Sequence, residues 1–235
     1  MNNASSDCRM RPGKTRVVEI VGPAGAGKTT LYQALNCYTE TVRLGNFPDV
    51  RKLVDAPFFI SNGLQLMPSL LRLYRRDSRQ LSRREFAWMT ILNGWPALID
   101  AESNHGHKLI VLDQGPVYLL AEMQLFGPVY LRQRAAASLW QDLCSRWSTA
   151  LRMVVWLDAP DDVLLDRIRT RQQDHLVKTQ PADKGYEFLD RYRTEYERLI
   201  TVLRAKIEGL RVLRFDTGRQ KPQDIVNRFL SEIGC

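Results

Sequence analysis

One short stretch constrains this chain more than any other. Val17-Val18-Glu19-Ile20-Val21 runs straight into Gly22-Pro23-Ala24-Gly25-Ala26-Gly27-Lys28-Thr29-Thr30, a match to G-x-x-x-x-G-K-[ST]. A loop that wraps a polyphosphate must turn its backbone N–H groups inward, and glycine allows the angles and the close approach this needs. The helix that follows adds unpaired N–H groups and the positive end of its dipole. In such a loop Lys28 reaches the β- and γ-phosphates of a nucleoside triphosphate, and Thr29 offers its hydroxyl to Mg²⁺. A chance match in a chain of this length is on the order of one in a hundred. Requiring a buried strand before it and a helix after it lowers that further, so an incidental glycine-rich turn is the weaker reading. Gly22, Pro23, Ala24, Gly25, Ala26, Gly27, Lys28, Thr29 and Thr30 are the expected nucleotide-binding residues.

Short apolar runs alternate with helical patterns along the chain. The strand candidates are Arg16–Val21, Thr41–Leu44, Lys108–Leu112, Met153–Leu157 and Val212–Phe215. Several are nearly continuous in apolar character, as strands covered on both faces of a parallel sheet must be. Helices are expected over 28–36, 64–102, 117–125, 129–149, 160–171, 185–208 and 222–233. Ser82-Arg83-Arg84-Glu85 has the spacing of a capping box, so a new helix is expected to start there. Phe188, Tyr192, Tyr196, Leu199, Leu203 and Ile207 recur at helical spacing and mark one buried face. The alternation predicts an α/β fold with about five parallel strands flanked by helices in three layers.

A site that moves phosphate also needs an acid at the end of a neighbouring strand, to hold Mg²⁺ or to accept a proton. Two segments have the pattern: Leu109-Ile110-Val111-Leu112-Asp113-Gln114 and Val154-Val155-Trp156-Leu157-Asp158-Ala159. Pattern alone does not separate them. Asp158 precedes Ala159-Pro160-Asp161-Asp162 and can serve as a cap for the next helix. Asp113 precedes Gln114-Gly115-Pro116, a tight turn that opens no obvious capped helix, and context therefore favours Asp113.

Composition narrows the remaining choices. The net charge of +8 over 235 residues suits a ligand rich in phosphate, nucleic acid, or a merely solubilising surface. Six arginines, Arg72, Arg75, Arg76, Arg79, Arg83 and Arg84, fall within 72–84. An exposed basic face is the first reading of this stretch, an anionic-acceptor or lid contact the second, and nucleic-acid binding the third, because aromatic interleaving is thin. No apolar run approaches the roughly 20 residues of a membrane span, and Met1–Arg16 has no apolar secretory core. Cys8, Cys37, Cys144 and Cys235 are scattered, as reduced thiols in a cytoplasmic protein would be. His105, His107 and His175 show no ligand or triad spacing. Residues 1–15 are expected to be a disordered tail.

With these pieces in place, the chain resembles the nucleoside and nucleotide kinase group of P-loop proteins, thymidylate-kinase-like members above all. The resemblance rests on GPAGAGKTT, on VLDQGP in the place of the family's acid-containing motif, on WLDAPDDVLLDRIRTR, and on EFLDRYRTEYERLITVL followed by LRFDTG. It covers roughly 16–36 and 108–233. It implies a P-loop NTPase fold over 16–235, with an acceptor-binding helical region near 45–107 and a mobile lid near 170–184 that holds Gln172, Gln173, Lys178 and Lys184. It implies ATP and Mg²⁺ as cofactors, with Thr29 and Asp113 at the metal. It points to Arg167 beside the adenine or ribose, Arg171 beside the transferred phosphate, Arg169 as a further candidate, and Thr217, Gly218 and Arg219 bordering the base.

The family's motif has arginine after the acid, where this chain has Gln114. A neutral amide does not pair with a phosphate as arginine does, so an unphosphorylated alcohol stands beside nucleotides and nucleosides as the acceptor. The expected activity is ATP-dependent transfer of the γ-phosphate to a small molecule, with Lys28, Asp113, Arg167 and Arg171 as the catalytic set. Two rivals remain: a P-loop ATPase switch acting through a partner, and a nucleic-acid-end kinase using 72–84. The expected partner is the small-molecule acceptor, with a second copy of the chain as an option and no membrane.

Overall fold

The structure, a computed structural model, describes residues 16–38, 42–45, 48–74, 79–102 and 109–233. The expected tail 1–15, Arg75, Arg76, His105, His107, Cys8 and Cys235 lie outside these residues. Five strands, β1 (Arg16–Val21), β2 (Arg43–Leu44), β3 (Leu109–Leu112), β4 (Leu151–Asp158) and β5 (Arg211–Asp216), form one sheet in the order β2-β3-β1-β4-β5. Every pairing is parallel, with Val18 opposite Val111 on one side and Met153 on the other. The helices are α1 (Lys28–Leu35), α2 (Ala56–Leu73), α3 (Arg83–Glu102), α4 (Pro116–Phe126), α5 (Val129–Arg132), α6 (Ala137–Arg146), α7 (Asp161–Thr170), α8 (Ala182–Lys206) and α9 (Pro222–Ile233).

The period of two along a strand sorts its side chains between two cores. Val17, Val21, Ile110, Leu112, Val154 and Trp156 face a core shared with α3, α4, α6 and the later turns of α8. Val18, Ile20, Val111, Met153, Val155 and Leu157 face the other, closed by α1, α7 and α9. The result is the expected three-layer α/β architecture, with the central strand β1 buried on both faces.

Proline explains one core contact. Pro96 lies inside α3 and has no N–H for the carbonyl of Leu92, four residues earlier. The indole Nε1 of the fully buried Trp147 donates to that carbonyl at 3.0 Å, so the broken helical bond is replaced from another element.

Two helical boundaries need correction. The region 64–102 holds the new helix that the capping box predicts, α3 from Arg83, but its first helix starts earlier than expected, at Ala56. Apolar residues lie on both faces of α2, with Ile60, Leu64 and Leu71 exposed opposite the buried Leu66 and Leu70, and this blurs the helical period. The region 129–149 is interrupted after Arg132, where Gln133 is extended at φ −82°, ψ 158°. There the indole of Trp140 takes the carbonyl of Leu131 at 2.7 Å, a partner that removes the need for a continuing helix.

The capping box forms as its spacing predicts. The N–H of Glu85 donates to Ser82 Oγ at 3.2 Å, and the N–H of Ser82 donates to Glu85 Oε2 at 2.8 Å. Arg79 adds a two-pronged bond to the same carboxylate, at 2.8 and 2.6 Å, and reaches the carbonyl of Phe126. Of the described arginines in 72–84, Arg72 lies on α2 and Arg83 and Arg84 on α3, and Arg79 ties α3 to the end of α4. Burial raises the Glu85 carboxyl, but Arg79 and Ser82 outweigh it and hold it down at about 2. This stabilisation is present above the ordinary carboxylate range near 4.5 and is lost as pH falls towards 2. Ser82→Ala is expected to cost about 1 kcal/mol in urea unfolding at neutral pH.

Candidate active site

The glycine-rich loop from Gly22 to Gly27 occupies the turn between β1 and α1, at the carboxyl ends of the central strands, where open parallel sheets place their ligands. Gly25 sits at φ 81°, and a Cβ there would lie 2.7 Å from the carbonyl oxygen of Leu164, so only glycine fits. Lys28 Nζ donates to the carbonyls of Gly22 and Pro23, at 2.7 and 3.0 Å. Burial lowers the Lys28 ammonium to about 8, with Asp113 opposing the shift.

Asp113, one residue beyond β3, comes to the same place. Thr29 Oγ1 donates to Asp113 Oδ2 at 3.3 Å. The other oxygen, Oδ1, is buried and has no hydrogen-bond partner among the described residues. Burial raises the Asp113 carboxyl, while Lys28 and Thr29 pull it back. An orphaned carboxylate oxygen beside a threonine hydroxyl is a hard, oxygen-only donor set, and it fits Mg²⁺.

Asp158 is occupied elsewhere. Its two oxygens accept from Arg193 Nε and Nη2, at 2.8 and 3.0 Å, and Oδ1 also accepts from the N–H of Ala159. Arg193 completes its fork on Asp161, at 2.5 Å. The side chain does not cap α7, whose N-cap is Pro160; it binds α8 to the end of β4.

A cavity of about 800 Å³ opens over the loop. Gly22, Ala24, Gly25, Gly27, Lys28, Thr29, Thr30, Asp113, Arg167 and Arg171 line it, whereas Pro23 and Ala26 do not. Arg167 donates to the carbonyl of Gly25 at 3.3 Å and to Thr217 Oγ1 and O at 3.0 and 2.9 Å. It thereby joins the phosphate loop to the turn after β5. Arg171 reaches the cavity just past α7, and its Nε is buried without a partner among the described residues. Arg169 points away, to the carbonyl of Gln180, and Arg219 pairs with Asp216. Of the expected lid residues, Gln173 lines the cavity, Lys178 holds the carbonyl of Arg171, Lys184 pairs with the exposed Glu187, and Gln172 is exposed.

One part of the remaining wall is aromatic with a single acid, and sequence reasoning missed it as cavity lining. Tyr118 and Glu122, one turn apart on α4, line the cavity with Phe188, Tyr192 and Tyr196 of α8 and with His175. The Tyr192 hydroxyl donates to Glu122, and burial raises the Glu122 carboxyl against the pull of Tyr192 and Arg84. Arg84 itself stacks over Trp88, 4.5 Å from the ring centroid, and Trp88 meets Tyr118 edge-on. The signal available beforehand was the i, i+4 spacing of Tyr118 and Glu122, which puts both on one helix face.

Glu19 was also missed. It interrupts the apolar run of β1, is fully buried, and receives three backbone N–H groups: Gly115 and Tyr118 on Oε1, at 2.9 and 2.8 Å, and Val117 on Oε2, at 2.8 Å. Burial pushes its carboxyl up to about 7, against those three bonds.

No family model matches the chain. It is 30% identical over 122 residues to the "putative thymidylate kinase" of Aeropyrum pernix, a match that covers 51% of this chain and 55% of that protein. The chain thus spans about half the length of the curated relative it matches. Among solved structures it is similar to the YorR protein of Bacillus subtilis in complex with phosphorylated GDP, with a TM-score of 0.52, 13% identity, and coverage of 92% of this chain and 95% of that one. It is likewise similar to deoxyadenosine kinase from M. mycoides with bound dATP, with a TM-score of 0.50, 11% identity, and coverage of 93% and 100%. At these identities the likeness is one of fold: the chain has a P-loop NTPase-like architecture, a five-stranded parallel sheet flanked by helices, which it shares with these structures.

Proposed function

We propose that this protein is an ATP-dependent phosphotransferase that moves the γ-phosphate to a small alcohol. The observation that carries this reading is that Lys28, Thr29 and Asp113 line one cavity, with Thr29 and Asp113 in hydrogen-bond contact although 84 residues apart in the chain. The P-loop-kinase-like fold and the partial likeness to a thymidylate kinase support it. Thr29 and Asp113 would hold Mg²⁺, which when bound neutralises charge on the β- and γ-phosphates. Lys28 and Arg171 spread the remaining charge of the transferred group, while Arg167, bonded to Gly25 and Thr217, braces the loop on the side of the base. Asp113 orients the acceptor hydroxyl and takes its proton as the acceptor oxygen bonds to phosphorus and the bond to ADP breaks. Positioning and electrostatics supply most of the rate, because the step asks little covalent chemistry of the protein.

An unphosphorylated acceptor is favoured over a monophosphate. Gln114 and the Glu122 carboxylate line the cavity, and neither attracts a phosphate. The test is ADP release with Mg·ATP against a panel of nucleosides, nucleoside monophosphates, sugars and amino-alcohols. Acceptor-dependent release is expected, strongest with unphosphorylated compounds. ATP binding without stimulation by any acceptor would turn the reading towards a switch, and preference for monophosphates would overturn the acceptor class.

A further inference from the structure

The carboxylate of Glu19 closes the start of α4 completely. The first N–H groups of a helix have no partner within it. In α4 these belong to Gly115, Val117 and Tyr118, since Pro116 has none, and all three end on Glu19. The next, Leu119, makes the first bond within the helix, to the carbonyl of Gly115 at 3.0 Å. No local side chain caps α4, because its N-cap is Gly115. That glycine is itself required by the contact: a Cβ there would lie 2.6 Å from the Glu19 carboxyl carbon.

A hydrophobic residue at position 19 would avoid the desolvation penalty of a fully buried carboxylate but would leave the N–H groups of Gly115, Val117 and Tyr118 without this partner. Glu19 stands between Val17 and Val21 on the face of β1 that packs against apolar residues. What it does besides filling space is set by the chain's route. Two residues after Glu19, β1 ends and the phosphate loop begins; immediately before Gly115 stand Asp113 and Gln114. One strand thus carries Lys28 and Thr29 on its continuation and grips the segment that carries Asp113.

We infer that Glu19 is a positioning residue that fixes Asp113 against Thr29, and so sets the metal-holding geometry of the site. This rests on the reading of Thr29 and Asp113 given above. It assigns Glu19 no contact with nucleotide or acceptor; its effect passes through the backbone of residues 115–118.

The test is the gain in ATP affinity on adding Mg²⁺, read by calorimetry on the full chain. In the wild type, Mg²⁺ is expected to strengthen ATP binding. In Glu19→Gln, whose amide replaces one acceptor oxygen with a donor, ATP without metal should bind within about twofold of wild type, and the Mg²⁺ gain should fall about tenfold, as for other groups that orient metal ligands. Asp113→Asn should lose the same gain, and adding Glu19→Gln to it should change nothing further. If Glu19→Gln does not fold, Gly115→Ala, which pushes the N-cap off the carboxylate, should give the same selective loss. The inference is overturned if the Mg²⁺ gain survives in a folded Glu19→Gln, if metal-free and Mg·ATP binding fall together, or if the two substitutions add. A wild type that binds no ATP removes the P-loop reading itself. A wild type that binds ATP with no Mg²⁺ gain removes only the role of Asp113 and Glu19.

Discussion

Lys28→Ala is expected to lower phosphoryl transfer on the order of a thousandfold, the effect of removing a cation aimed at developing charge in a water-poor site. The fold should survive, because among the described residues the Lys28 ammonium bonds to the carbonyls of Gly22 and Pro23 within its own loop. Burial holds it at about 8, so it is mostly charged at pH 7, and triphosphate affinity should fall as pH rises through 8. The variant should lack this decline. ADP release with a fixed acceptor, together with melting curves of both proteins, checks the result. Transfer within tenfold of wild type in a folded Lys28→Ala would remove the loop from the chemistry.

Asp113→Asn and Asp158→Asn should give opposite results. Asp113 has an unpartnered buried oxygen and a hydroxyl neighbour. Its amide variant should lose about a hundredfold or more in turnover, since a neutral amide neither accepts the proton nor holds the metal as a carboxylate does, with little change in melting temperature. Asp158 holds Arg193 through two bonds, with both side chains half-buried. Its amide variant should melt earlier, by the cost of an imperfectly paired guanidinium, and keep most of its turnover. Full activity in Asp113→Asn together with loss in Asp158→Asn would reverse the assignment.

Much of this architecture was legible because it depends on local chemistry. The loop could be read from glycine geometry and from a lysine at a helix start, both set within a few residues. The strands β1, β3 and β4 could be read because burial on both faces demands continuous apolar runs, and the capping box because its partners are three residues apart. The choice of Asp113 over Asp158 was only partly legible. Both end apolar strands, and the difference lies in Arg193, which stands 35 residues from Asp158 along the chain.

Glu19 and the acidic, aromatic wall show where such reading stops. Glu19 meets Gly115 across 96 positions, and Tyr192 meets Glu122 across 70. Neither distance leaves a periodic trace, because a parallel sheet brings residues together through strand order. By itself the sequence determined the glycine-rich loop between strand and helix, the strand and helix alternation and the candidate acids, since each follows from backbone sterics, capping or burial within a short window. Only the tertiary structure decided which acid stands free, which carboxylate grips α4 and which side chains share a cavity. Those are contacts between elements far apart in the chain, settled when the order β2-β3-β1-β4-β5 puts β1 between β3 and β4.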